Sequence, residues 1–283
     1  MSFSLLQTKD EEKEPVSKTV RIPFAPTIRY WFGLDSHVYA MAIAANVLLG
    51  FFPFMLLMLT LASFAFPASH ANQAILLGLR SFLPEDAGLV DFVVRNLQAE
   101  VANRGAVPAV SVILLLVAAN GIFMPLEVAQ NRLWGFPANR NYAYNQLLSL
   151  CIGATSMFMA LLSALFAGFA GPILFASFQT IFLTPNMATL WALRTGGAMA
   201  TAIVLLLVYW LLPNGPVPFG RALTTAFVVA LLIEGLQVAY AWAWPWLGLR
   251  AEYGPFFISV TLMLWGFLAA MVVLAGAEAC ARR

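Results

Sequence analysis

Glu127, Asn131 and Arg132, with Trp134 close behind, end an apolar run in GIFMPLEVAQNRLWGF (121–136). A carboxylate, a carboxamide and a guanidinium at this spacing can close a gate, hold an anion or simply tie helices together. On a helix, Glu127 and Asn131 are i, i+4 and share a face, with Trp134 one turn further on. Arg132 points elsewhere, toward a lipid phosphate or a neighbouring acid. The topology argued below puts Asn214, Arg221 and Glu278 on the same side of a membrane. The seven residues Glu127, Asn131, Arg132, Trp134, Asn214, Arg221 and Glu278 then form a cytoplasmic clasp or gate, with an Arg132–Glu278 ion pair expected. No activated Ser, Cys or Lys nucleophile stands beside them, so covalent catalysis is not indicated.

A second group lies deeper. Glu234, in LLIEGLQVAY, is thirteen residues into an apolar segment that begins at Arg221. An acid near a bilayer midplane costs about 3 kcal/mol on insertion scales and faces a bundle interior or a wet cavity. Gln237 follows at i+3 on the same side, and Asn120 and Asn46 lie deep enough in their own segments to meet it. These four make a candidate polar path for a lipid or an ion, with a proton on Glu234. The competing reading is an interhelical hydrogen bond worth about 1 kcal/mol.

What surrounds these residues sets the solvent. The chain has 283 residues, 61% hydrophobic and 10% charged, with a mean hydropathy of +0.84. A soluble domain carries about 25% charged residues, so the bilayer is the expected solvent. No Asp, Glu, Lys or Arg falls between Asp35 and Arg80, or between Arg140 and Arg194. Metal-dependent RNA cleavage needs clustered ligands, but the histidines are His37 and His70, near opposite ends of one segment. Neither HExxH nor a phosphate-binding basic patch occurs. A P-loop needs a lysine, and no lysine follows Lys18. Cys151 and Cys280 lack CxxC spacing and read as small reduced core residues. No cofactor, metal or nucleic acid is expected.

A helix needs about 20 apolar residues to cross the hydrocarbon. Six stretches qualify: 38–66, 107–126, 147–176, 188–212, 221–245 and 255–279. Pro53, Pro108, Pro125, Pro172, Pro245 and Pro255 predict kinks or helix ends. With both termini inside, ten Lys and Arg fall in cytoplasmic segments (Lys9, Lys13, Lys18, Arg21, Arg29, Arg132, Arg140, Arg221, Arg282, Arg283). Five fall outside: Arg80, Arg95, Arg104, Arg194 and Arg250. The positive-inside rule therefore places both termini in the cytoplasm. Residues 1–23 read as a disordered cytoplasmic tail without signal-peptide order, so the first helix would serve as an uncleaved signal. Residues 24–283 read as one six-helix domain. Its loop 67–106 carries an apolar stripe (Leu89, Val90, Val93, Val94, Leu97, Val101) and is expected to fold as a small extracytoplasmic helical cap.

Small residues at spacings of three and four (Gly153, Ser156, Ala160, Ala164, Ala167, Gly171, then Gly196, Gly197 and Ala200) predict close helix contacts. Trp242, Trp244 and Trp246 suit an outer aromatic belt, and Trp31 and Trp134 the inner interface. Trp265, near mid-span, is expected to face a packed neighbour or a cavity.

These pieces together resemble the YihY/BrkB family, once described as ribonuclease BN. They are Phe52-Pro53, LEVAQNRLWG (126–135), YWLLPN (209–214), Arg221, Glu234, Tyr253-Gly254, Leu264-Trp265 and Gly276-Ala277-Glu278. Asn46, in NVLLGFFP, stands where members commonly carry aromatic residues. The resemblance implies an all-α integral membrane protein with six transmembrane helices, in the bacterial inner membrane, linked to envelope integrity. It further implies a transporter or facilitator of lipids or other amphipathic envelope molecules. The alternative is a non-transporting scaffold for envelope-assembly proteins. Membrane lipids are the expected partners; the oligomeric state is not legible. A cysteine placed at Ala71 is expected to react with a membrane-impermeant reagent from outside intact cells; no external labelling would refute the topology.

Overall fold

The computed structural model describes residues 25–65, 107–136, 141–178 and 185–282. The tail 1–23 and the loop 67–106 lie outside the described residues. Among those described, the elements are α1 (Ala25–Trp31), α2 (Leu34–Ala65), α3 (Val107–Trp134) and α4 (Tyr142–Phe178). They continue with α5 (Pro185–Leu211), α6 (Phe219–Leu247), α7 (Leu249–Tyr253) and α8 (Phe257–Arg282), with a 3-10 turn at Gly254–Phe256 before α8. Six of these helices are long and apolar enough to span a membrane. Helices are what hydrocarbon permits, because every spanning amide must bond within its own segment.

The helices outrun the apolar stretches. α3 continues past residue 126 to Trp134, so Glu127 and Asn131 belong to the helix itself. Hydropathy marks only the hydrocarbon-facing part, whereas backbone bonds carry a helix on to its cap. Pro53, Pro125 and Pro245 lie inside α2, α3 and α6. Pro255 instead falls in the 3-10 turn, where it separates α7 from α8. The corner from α6 to α8 turns on Gly248 and Gly254, whose φ of 58° and 51° lie in the left-handed region that favours glycine.

The last helix is the hub. α8 packs on α1, α2, α3 and α6, and Leu262, Ala270, Met271, Leu274 and Ala277 along it are buried. Small residues set the distances. On α8, a Cβ at Gly266 would stand 3.3 Å from Ala44 Cα of α2. One at Gly50 of α2 would stand 2.8 Å from Ala118 Cβ of α3. Gly153 of α4 faces Ala119 and Phe123 of α3, as the small-residue spacing predicts. Trp265 does face a packed neighbour: its ring lies 5.5 Å from that of Tyr240 on α6. Trp242 and Trp246 are exposed, while Trp244 turns inward against Tyr240 and a buried cluster around Met157 and Leu262. Cys280 is buried, but Cys151 is exposed on α4 and is not a core residue. In a bundle whose solvent is lipid, an exposed thiol costs little, so hydrophobicity does not select the inner face.

One contact brings residues of three helices together. Gly276 of α8 sits under Tyr209 of α5, whose hydroxyl donates to the Val273 carbonyl at 2.8 Å. A Cβ on Gly276 would meet Tyr209 Oη at 2.6 Å and collide with Val229 of α6. Gly276→Ala is expected to cost roughly 1–3 kcal/mol through overpacking. Gly235→Ala, with open space around it, should be near neutral. Thermal unfolding of both variants in detergent micelles checks the difference.

Candidate functional site

The polar residues assemble at two places. The first is the end of the bundle where α3 stops and α5 turns into α6. α3 ends in a Schellman turn: Phe136 N–H donates to the Asn131 carbonyl at 2.9 Å, Gly135 N–H to that of Arg132 at 3.4 Å, and Gly135 has φ 68°. The turn folds Phe136 back onto Trp134, with rings stacked at 5.8 Å and 3°. It also seats Phe136 on Gly215, where a Cβ would stand 2.6 Å from the ring.

Asn131 uses both ends of its carboxamide. Its Oδ1 accepts the backbone N–H of Asn214 at 2.7 Å, and its Nδ2 donates to Glu127 Oε1 at 3.4 Å. Both Glu127 and Asn131 are buried. Four of the seven expected clasp residues, Glu127, Asn131, Trp134 and Asn214, therefore meet around the LPN turn. Arg221 is exposed at the start of α6, its backbone N–H bonded to the Pro218 carbonyl.

Glu278 belongs to a different contact. Its carboxylate accepts the Thr27 hydroxyl of α1 at 2.6 Å and pairs with Arg282 one turn on. The expected Arg132–Glu278 pair is not formed. Arg132 instead pairs with Asp35 at 2.7 Å, both side chains about two-thirds exposed (66% and 62%). Two nearer partners at the right spacing satisfy both charges: Arg282 lies at i+4 of Glu278, and Asp35 opens α2 beside the end of α3. The hydroxyl of Ser36 lies within 2.7–3.2 Å of the carbonyls of Tyr30, Trp31 and Gly33, and so fixes the α1–α2 elbow. Burial pushes the Tyr30 hydroxyl up to about 12, with Tyr39 and Asp35 adding to the rise and Arg132 opposing it. It stays protonated at any physiological pH. Thr27, Asp35, Ser36 and Arg282 were not singled out in the sequence; only Glu278 and Arg282 carried a spacing signal, i, i+4.

The second place is mid-span. Glu234 stands fifteen residues into α6 from Phe219, and Gly197 fourteen residues back along α5 from Leu211. At 1.5 Å per residue both lie about 21–23 Å from the shared turn. The carboxylate indeed meets Gly197: a Cβ there would stand 4.0 Å from Glu234 Oε1 and 3.9 Å from Ser163 Oγ of α4. Arg194, one turn away on α5, acts on the same carboxyl. The expected partner Asn46 is elsewhere. Its Nδ2 donates to the Ala42 carbonyl at 2.8 Å and its carboxamide fills the space over Gly121 of α3. Neither α2 nor α3 packs extensively on α6, which lies on α5 and α8. The four polar residues thus do not line one path. Asn46 and Asn120 belong to the α2–α3 side, and Glu234 and Gln237 to α6. The true neighbours, Ser163, Gly197 and Arg194, come from α4 and α5. Among the described residues, no group of three or more His, Cys, Asp and Glu is placed to hold a metal.

A family model described as Virulence factor BrkB matches residues 33–282. The chain belongs to the BrkB family. Similar curated proteins are UPF0761 membrane proteins of Chromobacterium violaceum (28% identical, 82% of this chain and 54% of that one) and of Alteromonas mediterranea (26%, 92% and 90%). A third, from Acinetobacter baylyi, is 25% identical over 75% of this chain and 49% of its own. This BrkB-family chain thus spans about half the length of the first and third relatives. None of the three carries an enzyme's name. No solved structure matches the chain. The BrkB match begins after α1, so the Thr27–Glu278 bond ties a preceding segment to the Gly276-Ala277-Glu278 piece of the family pattern.

The two contacts of the clasp differ in weight. Asn131→Leu leaves the Asn214 amide and Glu127 without the carboxamide and is expected to cost about 1–3 kcal/mol. Asp35→Ala removes an exposed ion pair and is expected to cost no more than about 1 kcal/mol. Unfolding midpoints of the two variants in one detergent, at low and high salt, separate these values.

Proposed function

We propose that this BrkB-family chain is a transporter or facilitator of lipids or other amphipathic envelope molecules, seated in the bacterial inner membrane with both termini in the cytoplasm. The observation that supports this most is the position of Glu234. Ala230 on the preceding turn is buried against the bundle, while Leu231, Leu232 and Val238 are exposed to the bilayer. The carboxyl therefore stands at the seam between protein and lipid. Gly197 leaves room beside it, and Ser163 supplies a hydroxyl. A polar station open to lipid at mid-span lowers the cost of carrying a headgroup through hydrocarbon. A purely structural hydrogen bond from Glu234 has no need of that exposed edge.

Reconstituted proteoliposomes carrying a fluorescent phospholipid test it through the rate at which inner-leaflet label becomes accessible to a quencher. Glu234→Ala is expected to fold and to slow translocation by about tenfold or more, equivalent to about 1.4 kcal/mol on the barrier. A wild-type rate in that variant would refute the role given to the carboxyl.

A further inference from the structure

Away from Glu234, the contact between α3 and α4 holds polar groups that nothing above uses. Gln130 is 1% exposed, and its Nε2 has no hydrogen-bond partner. Asn145 Oδ1 and Gln146 Oε1, in the first turns of α4, are also buried and without one.

Helix geometry brings the three together. Phe123 of α3 lies against Gly153 of α4, 3.9 Å from where a Cβ would stand. Seven residues are two turns and return to the same face. Going forward seven on α3 leads from Phe123 to Gln130. Going back seven on antiparallel α4 leads from Gly153 to Gln146. Both steps run about 10.5 Å in the same direction, so Gln130 faces Gln146 across the contact. Asn145 stands seven before Ile152, which shares a buried cluster with Phe123.

An unmet amide donor opposite two unmet carbonyl acceptors is costly in a packed bundle. A guest bearing hydroxyl groups removes that cost, because each hydroxyl both donates and accepts. An anionic guest is disfavoured: Glu127 lies one turn from Gln130 on α3, and the neighbouring Arg132 is committed to Asp35. Beside the contact, Tyr144, Leu147 and Leu150 are exposed, an apolar surface for attached chains.

The geometry points to a recognition site between α3 and α4 for an uncharged, hydroxyl-rich headgroup, a glycerol or a sugar, on an amphipathic molecule. The amphipathic character of the ligand rests on the transport reading above; the hydroxyl preference rests on Gln130, Asn145 and Gln146 alone.

Native mass spectrometry of the full chain in detergent tests it, with glucosyl diacylglycerol, phosphatidic acid of the same acyl chains, and methyl glucoside as probes. The wild type is expected to retain the glucosyl lipid about tenfold better than phosphatidic acid, and Gln130→Leu to lose that preference. The unliganded unfolding midpoint of Gln130→Leu should stay level or rise, since an unpartnered buried amide gives way to an apolar group of similar size. Competition by methyl glucoside supports the site with a soluble ligand as its source; no competition supports a lipid source. Equal retention by wild type and variant, a preference for phosphatidic acid, or a lowered midpoint showing a structural bond at Gln130 would each overturn the proposal. Retention without lipid movement in the Glu234 assay leaves this site standing and defeats transport; movement without headgroup preference does the reverse.

Discussion

Hydrocarbon offers no hydrogen bonds, so each polar side chain in the bundle must find its partner within its own helix or where two helices meet. That constraint places nearly everything described above. Asn131 reaches the Asn214 amide because α3 ends against the α5–α6 turn. Tyr209 reaches the Val273 carbonyl because Gly276 leaves room for its ring on α8. Asn46 fits over Gly121 only because that residue has no side chain. Polar groups and glycines are thus paired devices. The glycine leaves the space, and the polar side chain fills it while keeping a bond that lipid cannot disturb.

Two polar places depart from this economy, and in different ways. Glu234 has neighbours, but it stands at the lipid edge of the packed stripe rather than inside it. Gln130 is inside, but its amide is unmet. A bundle optimised for stability alone would replace both with apolar residues: removing the unpartnered buried amide of Gln130 is neutral or stabilising, and an acid at mid-span costs about 3 kcal/mol. Retaining them is consistent with a ligand that meets them in passing, one at mid-span and one near the clasp.

The elements themselves were legible. Six apolar stretches became six long helices, because length and charge depletion report the thickness of hydrocarbon directly. Small residues in α4 and α5 foretold helix contacts, found where Gly153 faces Ala119 of α3. Polar pairings were legible only within one helix, as for Glu127 and Asn131 at i, i+4. Across helices they were not. Arg132 went to Asp35 rather than Glu278, and Asn46 to Gly121 rather than Glu234, because sequence spacing does not say which helices are neighbours in space. α6 lies on α5 and α8, a fact carried by Tyr209, Val229 and Gly276 together and by no single motif.

The central claim is that Glu234 belongs to a path for amphipathic molecules. Its most direct test is native mass spectrometry of the protein gently extracted from its own membrane, beside Glu234→Ala. The account predicts that the wild type retains a specific lipid or lipid-linked sugar and that the variant, folded to the same extent, loses it. Retention of the same unselected bulk lipid by both, or co-purification of both with one protein partner, would contradict the account and favour a scaffold.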